Sequence, residues 1–161
     1  MAKSLYYCEL ILNLNERLFA NTLAGITEEQ AEHRITDHNN PLRWIIAHTV
    51  SARYNMLLFL GKPTNNPYSH LLENFKAYDK GLKYPALDEI RTEWQKATAL
   101  LKDALKTVSE EHLSADSPLK SPIGDFTNGG TFAFMVQHES YDIGQMAFLK
   151  KYHTKEAMSY N

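Results

Sequence analysis

The chain is poor in the features that most narrow a function. It has one cysteine, Cys8, among 161 residues. A single thiol excludes an internal disulfide framework and a structural zinc site built on several cysteines. Cys8 sits in an apolar helical pattern and reads as a buried structural thiol rather than a nucleophile. No stretch is long and apolar enough to span a bilayer. The opening MAKSLYYCELILNLNERLF is interrupted by Glu9, Asn13, Asn15 and Glu16, where a signal peptide needs an unbroken apolar run. These absences predict a cytoplasmic protein with no membrane partner. Charge of one sign is also lacking: the net charge is -2 and the pI about 6.4. Basic residues occur singly or in pairs such as Lys150 and Lys151, so the basic stripe required for nucleic-acid binding is missing.

What remains is helical. With 43% hydrophobic and 22% charged residues, the composition is that of a globular protein. The length suits one domain over residues 1–161. Tyr7, Leu10, Ile11, Leu14 and Leu18 recur at three and four residues, predicting a helix over about 4–21 with that face inward. Thr27-Glu28-Glu29-Gln30 matches a capping box and predicts a short helical turn through His33. Asn40 and Pro41 supply a cap and a first helical position for PLRWIIAHTVSARYNMLLFL, which ends at Gly61. Leu87, Ile90, Trp94, Ala97, Leu101 and Leu105 define a helix over about 86–108. The last helix is expected over about 131–152. Glycine and proline gather between these runs: three prolines and two glycines from Gly61 to Pro85, then two prolines and three glycines from Ser114 to Gly130. A short helix around 69–75 is expected in the first of these connections. No strand, repeat or heptad pattern emerges, although FTNGG could turn a hairpin. Four amphipathic helices of similar length predict an all-α four-helix bundle, and the two long connections permit a crossover.

The last helix carries an interruption, HESYDIGQ. Each residue turns a helix by about 100°, so Asp142 lies about 40° from His138 and Gln145 about 20° the other way. All three share a stripe with Phe134 and Leu149. Burying such groups costs free energy unless something satisfies them. In the second long helix, His48 likewise follows Ile45 and precedes Ala52. A histidine and a carboxylate four residues apart, with a histidine from a facing helix, can converge on one divalent ion. Gln145, one turn on, can hydrogen-bond such a ligand from behind. The same residues also suit a His138–Asp142 hydrogen-bonded pair in the core, or a helix face more exposed than its pattern suggests. Glu139, rotated by about 100° from His138, is a weaker ligand candidate. His33, His38, His70, His112 and His153 read as surface histidines near loops and helix ends. Trp44, Tyr54 and Tyr141 could line the mouth of a site, but at helical spacing aromatic residues are more often core.

Two blocks carry a family resemblance. PLRWIIAHTVSARYNMLLFLG is similar to the second helix of the DinB/YfiT-like family, in which an aromatic residue precedes a histidine. HESYDIGQMAFLKKY resembles the end of that family's last long helix, where a His–x3–His pair precedes Gly-Gln and an apolar, basic tail. The resemblance implies a four-helix bundle in up-down-down-up order, a homodimer, and a divalent metal bound by three histidines, often nickel or zinc. Carried over by position, the ligands fall on His48, His138 and Asp142. Here an aspartate stands where the family has its third histidine. Two imidazoles and one carboxylate suit zinc, iron(II), nickel or manganese. The function implied is that of a metal-dependent hydrolase, or of a transferase using a low-molecular-weight thiol on a small molecule. The alternative is a non-catalytic bundle that has lost the metal site and serves in binding or dimerisation.

Overall fold

The computed structural model describes residues 2–72 and 76–161. The expected short helix around 69–75 is a 3-10 turn at Ser69–Leu71, and the rest of that span lies outside the described residues. Four long helices are present: α1 (Tyr6–Thr22), α3 (Leu42–Phe59), α4 (Leu87–Thr107) and α6 (Asn128–Thr154). Two short ones, α2 (Glu28–Glu32) and α5 (Glu110–Ser114), occupy connections. Among the described residues there is no strand. The FTNGG region forms one isolated bridge, Asp116 with Thr127, just before α6.

Cross-helix pairs establish the topology. Asn15 meets Ser140 and Asn21 meets Ser159, so α1 and α6 run parallel. Arg53 meets Thr98 and Arg43 meets Pro85, so α3 and α4 run parallel as well. Glu16 meets Lys102 and Leu23 meets Arg91, so α4 runs against α1. The order is therefore up-down-down-up, and the crossover is the long connection between the parallel α3 and α4.

Helix ends follow their local chemistry. Thr27 accepts from the Gln30 backbone at 3.2 Å while the Gln30 side chain accepts from the Thr27 backbone at 3.0 Å, closing the capping box. Thr127 accepts from the Gly130 backbone at 3.1 Å and starts α6 three residues earlier than the sequence pattern suggests. Asn40 does not cap α3: its Oδ1 accepts from the Tyr78 backbone at 3.2 Å, and Pro41 is the N-cap. Lys150, in the basic tail of α6, turns inward and donates to the carbonyl of Ala24, just beyond the end of α1.

The core departs from the sequence reading in one helix. The face of α4 is as expected, with all six stripe residues buried. In α1 the buried residues are Leu12, Asn15, Leu18, Phe19 and Thr22, whereas Tyr7, Leu10 and Ile11 are exposed. The reason is polar. Asn15 is needed inside, where its Nδ2 donates to Glu139 Oε1 at 3.1 Å and to Ser140 Oγ at 3.0 Å. Turning Asn15 inward gives its amide these two acceptors and leaves Tyr7, Leu10 and Ile11 at the surface, because a buried amide without partners would cost free energy.

Candidate metal centre

α3 and α6 cross antiparallel, and their crossing brings His48 and His138 face to face. The two Nε2 atoms are 3.0 Å apart. Asp142, one turn along α6 from His138, places Oδ2 at 3.6 Å from His138 Nε2 and 3.7 Å from His48 Nε2. The three residues singled out by spacing thus form one cluster, and it is the only such group of potential metal ligands among the described residues. Gln145 Nε2 donates to Asp142 Oδ1 at 3.4 Å.

The environment of the cluster is specific. The Trp44 indole stacks on the His48 ring, with centroids 4.9 Å apart and planes within 7°. Tyr141, largely exposed, lies over His138 at 6.3 Å. Tyr54 is not at the site, since its hydroxyl donates to Glu93 on α4 at 2.6 Å. Asp142 Oδ2 is buried and has no hydrogen-bond partner, and the same is true of Trp44 Nε1. An orphaned buried carboxylate oxygen is expensive and demands an explanation.

Protonation follows from burial. Desolvation, followed by the neighbouring His138, lowers the His48 pKa to about 4. Desolvation alone holds His138 below the usual histidine range. Burial, then the Glu139 carboxylate, raises Asp142 to about 7, with a smaller opposing contribution from the Thr49 hydroxyl. At neutral pH both imidazoles are uncharged and can donate lone pairs. The carboxyl stands near its midpoint at neutral pH, so a cation beside it would draw it to full charge.

The donor set fits a divalent ion. A triangle with sides of 3.0, 3.6 and 3.7 Å has a circumradius of about 2.0 Å, close to the usual nitrogen and oxygen bond lengths of about 2.0–2.2 Å. Two neutral imidazoles, one carboxylate and an otherwise partnerless Oδ2 are the chemistry of such a centre.

Glu139 is excluded from it. Its side chain is 0% exposed, rotated about 100° from His138 and committed to Arg53. Arg53 Nε and Nη2 donate to the two Glu139 oxygens at 2.8 and 2.7 Å, and Nη1 donates to Thr98 Oγ1 at 2.5 Å. The guanidinium lies 3.6 Å from the centre of the Trp94 ring. With Asn15 included, this network ties α1, α3, α4 and α6 together below the cluster. The Arg53 side chain, despite its charge, is 1% exposed. A signal was available: Arg53 shares a stripe with Ile46, Val50 and Leu57, as Glu139 does with Phe132, Val136, Ile143 and Met146. Opposite charges embedded in two core stripes are candidates for a buried pair.

The remaining histidines lie elsewhere. His33, His38 and His70 are exposed as expected. His112 Nε2 lies 3.2 Å from the Phe59 carbonyl at the end of α3. His153, read as a surface histidine, is instead half-buried, 5.2 Å from the His33 ring, and burial with His33 and Lys155 lowers its pKa. Cys8 is half-buried, and desolvation raises its thiol pKa, in keeping with a structural role.

Two cavities flank the cluster. One of about 760 Å3 lies beside Gln145 and Tyr141 and is bounded by Thr36, Asn39 and Asn40 of the loop before α3. The other, about 470 Å3, has His48 and His138 in its wall. No helix of the described residues is long and apolar enough to cross a membrane.

Comparison with known proteins agrees with this architecture. A crystal structure described as that of the conserved protein of locus from Enterococcus faecalis superposes with a TM-score of 0.73 at 17% identity, covering 97% of this chain and 99% of that one. At that identity the likeness is one of fold alone. No curated protein matches the chain. The DinB superfamily pattern matches residues 11–146, and with the bundle topology around it, the chain belongs to the DinB superfamily.

Proposed function

We propose that His48, His138 and Asp142 hold a divalent metal ion and that the protein uses it on a small molecule, as a hydrolase or as a transferase of a low-molecular-weight thiol. The observation that carries this reading is the convergence of two Nε2 atoms on a buried, partnerless Asp142 Oδ2. Nickel, zinc, iron(II) and manganese all accept such a donor set. When bound, the ion supplies Lewis acidity, which lowers the pKa of water or of a thiol and favours the nucleophile at neutral pH. The protein residues prepare for it. Trp44 holds the His48 ring by stacking, Gln145 orients the Asp142 carboxyl through Oδ1, and burial keeps both imidazoles deprotonated. Asp142 sheds its proton as the cation enters.

A second reading has its own support. The 3.0 Å Nε2–Nε2 distance also suits an N–H···N hydrogen bond between neutral histidines, as in a non-catalytic bundle that has lost its ion. Metal content of purified protein, measured by elemental analysis, separates the two. Under the metal reading Asp142→His preserves or tightens binding and Asp142→Ala weakens it. If neither substitution changes the metal content, the non-catalytic reading stands.

A further inference from the structure

The two cavities beside the cluster differ in chemistry. The larger offers amides and a hydroxyl from Asn39, Asn40, Gln145 and Thr36, but contains none of the three clustered residues. The smaller is walled by His48 and His138 themselves. Its other surfaces are mainly Ala52, Phe59, Leu119, Phe134 and Met135, between the second half of α3, the start of α6 and the loop before it. Among the described residues, no Lys, Arg, Asp or Glu lines it.

The polar side chains in this wall besides the histidines are Ser51 and Asn55, and both are engaged. Asn66 Nδ2 donates to Ser51 Oγ at 2.8 Å and to Asn55 Oδ1 at 3.0 Å. In the metal-free protein a charged group entering here would leave water without gaining a counter-charge from the described lining, whereas an apolar group gains by the same transfer. A volume of about 470 Å3 falls within the range of about 300–1,000 Å3 found for small-molecule sites.

We propose that this chamber receives the uncharged, mainly apolar body of a small molecule whose reacting end lies at His48 and His138. The position of the reacting end rests on the metal-centre reading; the selection against charge does not.

Three probes of one shape test the selection: cinnamyl alcohol, cinnamate and cinnamylammonium. Binding to the metal-free protein is measured by calorimetry, with methyl NMR shifts of Ala52, Leu119 and Met135 locating the site. The alcohol is expected to bind at least about tenfold tighter than either ion and to shift those methyls. Ala52→Trp fills the chamber and is expected to abolish binding. Leu119 is 41% exposed at the rim, so Leu119→Lys leaves the core intact. It is expected to reverse the preference between alcohol and cinnamate. An ion that binds as well as the alcohol, an alcohol that does not bind, or a preference unmoved by Leu119→Lys overturns the proposal. Nickel titration without any probe tests the metal centre separately. A protein that selects the alcohol but takes no nickel loses the metal reading and keeps the chamber. One that takes nickel but prefers an ionic probe loses the chamber and keeps the metal.

Discussion

Replacing Asp142 by asparagine separates what this side chain does for the bare protein from what it does for an ion. The residue is 3% exposed and its Oδ2 has no partner. Its pKa rises from 3.8 to about 7, with burial as the main cause. Each pH unit corresponds to about 1.4 kcal/mol, so ionised Asp142 costs the metal-free fold about 4 kcal/mol. The folded pKa lies above the unfolded one, so the associated stability is fully present below about pH 4 and is lost as pH rises through about 7. Asparagine has the same shape, keeps the acceptor facing Gln145 and does not ionise. Metal-free Asp142→Asn should therefore gain on the wild type between pH 4 and pH 8, by up to about 4 kcal/mol. For a domain of this size that is roughly 8–16 °C in Tm. With saturating nickel or zinc the order should reverse, because a neutral amide is a poor ligand. Thermal and urea denaturation at several pH values, with chelator and with metal, measure both arms. A stability gap that does not change with pH in chelator would refute the assignment of a buried, proton-sharing carboxyl. Equal stabilisation of both proteins by metal would refute its role as a ligand.

Further outcomes follow from the same geometry. Apparent metal affinity should begin to fall below about pH 7, where Asp142 regains its proton, by about tenfold per pH unit, and more steeply at lower pH as the histidines protonate too; calorimetric titrations would lack the fall that begins near pH 7 if the carboxyl were not involved. Arg53→Met should cost about 3–5 kcal/mol in urea denaturation by leaving Glu139 buried without its cation, and the double variant Arg53→Met, Glu139→Leu should recover much of the loss. Gly144→Ala meets nothing within 4 Å and lies inside a helix, so it should stabilise by up to about 1 kcal/mol. Gly130→Ala should instead destabilise by about 1–3 kcal/mol, because its Cβ would run into the Asp125 carboxyl; equal effects at the two glycines would contradict the packing described.

The difference between α1 and α4 shows what a single sequence can disclose. In α4 the apolar stripe stands alone against a charged remainder, so periodicity and burial agree. In α1 the most apolar stripe, Tyr7, Leu10 and Ile11, lost the core to one that includes Asn15. The deciding contact is with Glu139, 124 residues away, and local pattern carries no information about it. The Arg53–Glu139 pair was hidden for the same reason: each charge looks misplaced in its own helix until the other is set beside it. The candidate ligands were more legible. A His–x3–Asp step on one helix and a histidine amid small and apolar residues on another mark His48, His138 and Asp142 as candidates, while spacing alone suits a His138–Asp142 core pair equally.

The sequence by itself determined the helices, because 3.6-residue periodicity, caps and the clustering of proline and glycine are local properties of the chain. It also brought His138, Asp142 and Gln145 onto one side of α6, since that follows from helical rotation alone. Only the tertiary structure decided that α3 crosses α6 at the level that brings His48 Nε2 to 3.0 Å from His138 Nε2. It alone committed Glu139 to Arg53, left Asp142 Oδ2 without a hydrogen-bond partner, and opened a chamber against the two histidines that no charged side chain of the described residues lines. These outcomes depend on pairing between distant segments, where the cost of isolating a polar group from water selects one docking of the helices over the others.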